Sequence, residues 1–359
     1  MTDSTTRRRG SEGSAIEDVS RAEESDRDVS SQARDIVVIG ASAGGLEAIK
    51  VLVTALPSTF SGSVFIVIHL AAGAQSTAAK ILDRASDIEV TAPADNTPIV
   101  PGRVYVSSPD RHMLLESGRI RIVRGPKENR HRPAIDPLFR SAAWAYGPRV
   151  VGVVLSGSGD DGTAGLWAIK SCGGTTVVQD PAEAAHSSMP ENALKYNSID
   201  HRLPIGQIAP LLIRLSKGSI DVARDCRWRQ SLKTENEFDM MKRDITDMDS
   251  IGKLSPFTCP SCRGALWELR NGDLLRYRCH TGHAFSEKSL RAAQSNAIEE
   301  SLYSALRAVE EKATLLRKLS DVWHDKRSKL AAGYEKKADA LERSAEVLRR
   351  LLPYEEPED

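Results

Sequence analysis

Five short runs of the chain, Ile36–Ile39, Val64–Ile68, Val104–Val106, Val150–Leu155 and Thr175–Val178, lack the apolar–polar alternation of a half-wet strand. A strand that is apolar throughout is buried on both faces, and that burial belongs to a mainly parallel sheet covered by helices. Helical periodicity falls between several of the runs, for instance at Leu46–Leu56, Ser76–Ala85 and Thr163–Ser171. The pattern predicts an α/β domain with a mainly parallel, helix-covered sheet over residues 35–218. Pro93–Arg121 departs from it, with short pieces, Pro and Gly turns and the alternating RIRIV. This stretch reads as a β-hairpin excursion beside the main sheet.

The first run opens the stretch DIVVIGASAGGLEA, Asp35 to Ala48. It reads as a strand, a glycine turn and a helix start, which puts Ser42 at the carboxyl edge of a parallel sheet. The same position faces a helix N-terminus, where free N–H groups favour developing negative charge. Two readings fit the turn. One is a dinucleotide loop, although Ser42 replaces the second glycine that lets a pyrophosphate approach. The other is a serine nucleophile exposed on a sharp turn. The dinucleotide reading wants an acid at the end of the next strand. That strand ends in His69 instead, which favours the serine.

A third strand end has the same form. Val150–Leu155 runs into SGSGDDG, which carries Asp160 and Asp161. Taken singly, a serine in a glycine turn is a helix cap, a lone His is a hydrogen-bonded structural residue, and either Asp is an N-cap. Together, Ser42, His69 and Asp161 or Asp160 on one sheet edge form a candidate nucleophile, base and orienting acid.

The 359 residues allow two or three domains, and a formal net charge of zero gives no reason to expect nucleic acid. No apolar run approaches the ~20 residues of a membrane span, and the charged N-terminus is no secretory signal. Residues 1–34 and 353–359 read as disordered tails. Arg7, Arg8 and Arg9 read as part of a solvated tail. Three of the five cysteines cluster at metal-ligand spacing, which suits a reducing cytoplasm. Cys172 and Cys226 have no partner pattern and read as packing residues.

Residues 219–255 read as a linker with one short helix, followed by a small module at 256–286. There Cys259-Pro-Ser-Cys262 and Cys279-His-Thr-Gly-His283 flank a hairpin signalled by Asn271-Gly272. Two knuckles joined by a hairpin are the plan of a zinc ribbon, with Cys259, Cys262, Cys279 and His283 as ligands. His280, next to Cys279, would tend to point the other way. Such a closed four-ligand site is structural. Residues 287–352 read as a long helical or coiled-coil segment, divided into a hairpin at Gly333. Its stripes, Leu302, Leu306, Val309, Ala313, Leu316 and Leu341, Ala345, Leu348, Leu352, serve self-association, partner docking, or packing on the chain's own domains.

The pieces GASAGG with Ser42, IHL with His69 and LSGSGDDGTAG with Asp161 resemble the catalytic domain of the CheB-type protein-glutamate methylesterases. VYVSSPDRHM, RPAIDPLFRSAA, GGTTVVQDP and SMPENAL extend the resemblance collinearly over about residues 35–216. It implies a doubly wound α/β domain and a cytoplasmic serine hydrolase that removes γ-methyl esters from glutamates of chemoreceptor-like proteins. Deamidation of chosen glutamines is a further implied activity. It also implies Ser42 as nucleophile, His69 as general base and Asp161, the acid directly before Gly162, as the residue orienting His69; no catalytic cofactor is implied. Two positions depart from the family pattern: Ala43 stands where a threonine is frequent, and Ser158 where methionine is frequent. Only 34 residues precede Asp35, so control by an attached receiver domain is not expected. Residues 219–359 are then expected to recruit substrate or partner and leave the chemistry alone. The alternative class is a catalytically silent scaffold module.

Overall fold

The computed structural model describes residues 33–69, 77–220, 226–243, 245–323 and 328–352. The expected tails lie outside these residues apart from Ala33 and Arg34, as does Ser76 at the start of the second expected helix. The α/β half runs β1 (Ile36–Ala41), α1 (Gly45–Thr54), β2 (Ser63–Ile68), α2 (Ala78–Ala85), β3 (Val90–Thr91), β4 (Thr97–Pro98), β5 (Val104–Val106), β6 (His112–Glu116) and β7 (Arg119–Val123). It continues through α3 (Ile135–Tyr146), β8 (Val150–Val154), α4 (Thr163–Ser171), β9 (Thr175–Gln179), α5 (Ser188–Tyr196), β10 (His201–Leu203) and α6 (Ile205–Leu215).

Seven strands form one parallel sheet in the order β10-β9-β8-β1-β2-β5-β3. The strand order reverses between β1 and β8, the crevice where open α/β sheets hold their ligands. Because both faces are covered, β1, β2 and β8 are buried along their whole length, as their unbroken apolar runs require. Helices α1, α2 and α6 pack one core against the sheet through Ile49, Leu52, Leu82 and Leu212. Helices α3, α4 and α5 pack the other through Leu138, Phe139, Leu166 and Ala193. The expected excursion is a three-stranded antiparallel sheet, β4-β7-β6. Its apolar Met113, Leu115 and Ile120 join the second core.

Beyond α6 the chain stays attached to this body. The stretch expected to be a linker carries α7 (Arg229–Asp239), whose Leu232 and Phe238 are buried. Cys172 and Cys226, expected to be unpaired packing residues, are joined in a disulfide. Both are buried, so the packing is real, but tertiary structure brings together two residues 54 apart in sequence. Strands β11 (Lys253–Thr258), β12 (Ala265–Asn271), β13 (Leu274–Cys279) and β14 (Ala284–Ser286) then form an antiparallel sheet. The β12–β13 turn is Asn271-Gly272-Asp273-Leu274, with Gly272 at φ 64.

Helices α8 (Glu287–Trp323) and α9 (Ser328–Leu351) fold back on each other. Gly333, expected to divide the segment, lies inside α9. Ala313 and Leu316 of α8 and Ala331, Ala338 and Ala345 of α9 are buried. Small residues on α9 allow close approach. Arg317 reaches Asp339 at 2.7 Å and Glu342 at 2.8 Å across the pair. Much of the apolar stripe therefore faces the other arm of the hairpin.

Charge taken out of water adds to the disulfide and to the packing of Leu232 in fastening the C-terminal half to the α/β domain. Arg140 of α3 donates to Glu128 at 3.0 and 2.8 Å and also to Asp239 of α7. From β13, Arg278 donates to Asp239 at 3.0 Å and to Glu128 at 3.1 Å. Arg276, two residues before it on the same strand face, forms a bidentate pair with Glu235 at 2.9 and 2.8 Å. Three guanidinium groups and three carboxylates balance, and none of the six residues is more than 5% exposed. Burial alone would push Glu235 up, but Arg276, Arg140 and Arg278 hold it well below the usual carboxylate range.

Candidate active site

In the parallel pair β1–β2, Ala41 lies opposite Ile68. Ser42 and His69 are therefore the first residues past matched strand ends, about one strand spacing of ~4.8 Å apart along the sheet. The His69 N–H donates to the Ala41 carbonyl at 3.1 Å, and the Ser42 N–H donates to the Ser156 carbonyl beyond β8 at 3.0 Å. Gly157 follows Ser156 and packs against Ser42. A Cβ there would lie 2.9 Å from Ser42 Cβ and 2.3 Å from Met189 Sδ, so only glycine fits. Helix α1 begins at Gly45, directly after the serine turn.

His69 Nε2 lies 2.8 Å from Asp161 Oδ2, with the two side chains 5% and 2% exposed. The N-terminus of α3 holds this carboxylate: the Ile135 N–H donates at 2.6 Å and the Asp136 N–H at 3.2 Å. The Gly162 N–H adds a bond at 3.1 Å and Asn129 Nδ2 one at 3.0 Å. Gly40 makes this approach possible, because a Cβ on it would come within 2.4 Å of Ile135 Cγ2. Burial pushes the Asp161 carboxyl up, but the hydrogen bond from His69, the nearby imidazole charges and the Ile135 N–H outweigh it and keep Asp161 well below the usual range. An ionised Asp161 accepts from Nε2–H, which leaves the lone pair on Nδ1. That nitrogen is buried and has no hydrogen-bond partner among the described residues.

Asp160 faces elsewhere. Burial raises its carboxyl, opposed by a hydrogen bond from Ser286. The structure thus brings Ser42, His69 and Asp161 to one sheet edge and directs Asp160 toward the C-terminal module.

Two site residues had no signal of their own in the sequence. His131 lies flat against His69, with ring centroids 3.7 Å apart. Burial first, then the neighbouring His69 charge, push the His131 imidazole down to about 4. Asn129 touches Asp161 directly. Both belong to the irregular stretch before α3, just ahead of the RPAIDPLFRSAA piece, where no periodicity marks them. A cleft of about 390 Å³ opens over these groups, with His131, Ser158 and Asp161 on one side and Lys288, Ser289 and Ala292 of α8 on the other. The segment expected to leave the chemistry alone therefore walls the cleft.

Away from this cleft, the ligand atoms of Cys259, Cys262, Cys279 and His283 all lie within 4.8 Å of one another. Cys262 Sγ is 3.7 Å from Cys279 Sγ, and Cys279 Sγ is 3.6 Å from His283 Nδ1. Tetrahedral zinc with Zn–S bonds of ~2.3 Å spaces its thiolates at ~3.7 Å, so the donor set fits that ion. His280 packs on Gly264 instead, its Cε1 within 2.4 Å of where a Cβ would stand.

The CheB methylesterase family matches residues 37–212. A Leptospira interrogans protein, provisionally named protein-glutamate methylesterase/protein-glutamine glutaminase, is 36% identical over 188 residues, covering 52% of this chain and 97% of that protein. The protein-glutamate methylesterase/protein-glutamine glutaminase of Hydrogenovibrio crunogenus is 37% identical over 194 residues, 53% of this chain and 51% of its own length. This chain thus spans nearly all of the first relative and about half of the second. Among solved structures, the Thermotoga maritima CheB methylesterase catalytic domain is 32% identical with a TM-score of 0.49, covering 50% of this chain and 98% of that one. No helix among the described residues is long and apolar enough to cross a membrane.

Proposed function

The chain belongs to the CheB methylesterase family, and on that premise we propose that it hydrolyses glutamate γ-methyl esters on chemoreceptor-like proteins with Ser42 as nucleophile. The observation that carries the reading is His69, fixed through Nε2 by Asp161, with Nδ1 unpaired among the described residues and its strand end next to that of Ser42. Ser42 Oγ attacks the ester carbonyl while His69 Nδ1 takes its proton. The resulting oxyanion falls among backbone N–H groups of the two glycine turns. Those of Ala43 and Ser158 make no hydrogen bond among the described residues. Losing one such donor typically costs about 2.7–4 kcal/mol. His69 then returns the proton to the leaving methanol, and a water activated by His69 releases the glutamate from Ser42. Ala43 and Ser158 replace side chains frequent in the family, but the oxyanion contribution asked of them is a main-chain one.

The same steps with ammonia as leaving group would deamidate a glutamine. A silent scaffold has no need for a buried, charge-held Asp161 and an unpaired His69 nitrogen, and that observation favours the enzyme. The Cys₃His cluster would hold a structural zinc, with four protein ligands and no open position. The substrate is a methylated receptor-like protein, the working compartment is the cytoplasm, and the exposed face of the α8–α9 hairpin offers a surface for a partner or a second copy. Acid-quenched turnover of a methylated glutamyl peptide tests the assignment of the nucleophile. A glutamyl ester mapped to Ser42 by mass spectrometry supports it; continued hydrolysis with no adduct at Ser42 overturns it.

A further inference from the structure

Asn129 is only 6% exposed and spends its entire amide. Its Nδ2 donates to Asp161 Oδ1 at 3.0 Å and to Asp136 Oδ2 at 2.9 Å, both in the α/β domain. Its Oδ1 accepts from the Ser286 N–H at 2.8 Å and from Ser289 Oγ at 3.0 Å, both in the C-terminal half. A primary amide has two donor hydrogens and two acceptor lone pairs, so nothing remains unpaired. The orientation is unambiguous, because one end faces carboxylates and the other faces donors. The backbone repeats the link, with the Asn129 N–H donating to the Ala284 carbonyl at 2.8 Å. Asn129 sits at φ 49, a left-handed conformation that asparagine tolerates and that the two sets of partners hold in place.

We propose that Asn129 is a positioning residue through which the C-terminal module sets Asp161, and through it the His69 ring, so that the module is part of the esterase site. The inference rests on the esterase reading above. Its physical content is a relay of buried hydrogen bonds that ends on the ionised Asp161 carboxylate. Ser286 and Ser289 fix the Asn129 carbonyl, the amide plane fixes the N–H aimed at Asp161 Oδ1, and Asp161 Oδ2 fixes His69 Nε2. In such a chain each bond polarises and orients the next. The Ser289 hydroxyl also lies 3.3 Å from the Ser286 carbonyl, which ties the first turn of α8 to the end of β14. Asn129 borders the cleft together with Ser289, so a change in KM alone would not separate positioning from binding; the readouts that do are kcat together with the His69 environment.

The test uses the full chain and a small glutamyl methyl ester, in Ser289→Ala, Ser289→Thr, Asn129→Ala and the Ser289→Ala/Asn129→Ala double variant. Losing one hydrogen bond in the relay should lower kcat about tenfold in Ser289→Ala. Threonine keeps the hydroxyl and should restore kcat to within about twofold of wild type. Asn129→Ala should cost more than Ser289→Ala, and Ser289→Ala should add nothing in the Asn129→Ala background. Independently of turnover, the low-field proton resonance of His69 Nε2–H should move in Ser289→Ala and return in Ser289→Thr. The inference is overturned if the two substitutions act multiplicatively. It is also overturned if folded Ser289→Ala keeps both wild-type kcat and an unmoved resonance. Wild-type protein without Ser42-dependent hydrolysis would remove the esterase reading, and the resonance would still decide the role of Asn129.

Discussion

His131 and His69 are stacked face to face, their ring planes within 8° of parallel and their centroids 3.7 Å apart. Two imidazoles at that distance cannot both be charged in a buried site without a large penalty. The structure places the penalty on His131, so the charge that His69 acquires during turnover forms over a neutral ring.

This arrangement makes stability depend on pH. Unfolded, His131 takes a proton near its ordinary value of 6.5, whereas folded it takes one only near 4. The unfolded chain therefore binds more protons in that interval. The contribution is fully present above 6.5 and is lost as pH falls toward 4, at up to about 1.4 kcal/mol per pH unit. Urea unfolding of wild type and His131→Gln between pH 7 and pH 4.5 should show the wild type losing stability more steeply. Parallel curves would mean that His131 titrates normally.

Arg278 answers three carboxylates, Glu128, Glu235 and Asp239, from inside the C-terminal module. Removing one partner of a buried ion pair leaves uncompensated charge and typically costs about 3–5 kcal/mol. Arg278→Ala should show a loss of that order in denaturant unfolding, and the loss should be far smaller near pH 3, where the carboxylates can protonate. A change below about 1 kcal/mol at neutral pH would mean that water already reaches the cluster.

Some of this was legible in the sequence, and the reason differs from residue to residue. Ser42, His69 and Asp161 each follow a strand of unbroken apolar residues, so their common edge is a consequence of the parallel sheet. The two knuckles carry their own spacing. His131 and Asn129 precede α3 in a stretch without period, and only the approach of Ile135 to Gly40 brings that stretch over the sheet edge. Arg276, Arg278, Glu235 and Asp239 look like ordinary solvated charges in RYRC and ENEFD, because their burial depends on α7 lying against β13 and α3. Cys172 and Cys226 meet for the same reason. The helical stripe was visible, but Gly333 does not divide it, because the good helix former Ala flanks that glycine and carries α9 through it.

Protein purified without chelator should contain one zinc per chain, and Cys259→Ser with Cys262→Ser should contain none. Metal removal should loosen residues 253–286 first, read as faster amide exchange there than in β1 or β8. It should also lower ester hydrolysis, since Ser286 closes the module against Asn129. Wild-type exchange and activity in metal-free protein would assign the cluster no structural role.

The central claim is that Ser42 does the chemistry, and methanol release measures it most directly. Purified wild-type chain incubated with methylated receptor should release methanol with turnover. Ser42→Ala, with an unchanged melting temperature, should be slower by at least about 10³-fold. Equal rates of methanol release from the two proteins would contradict the account.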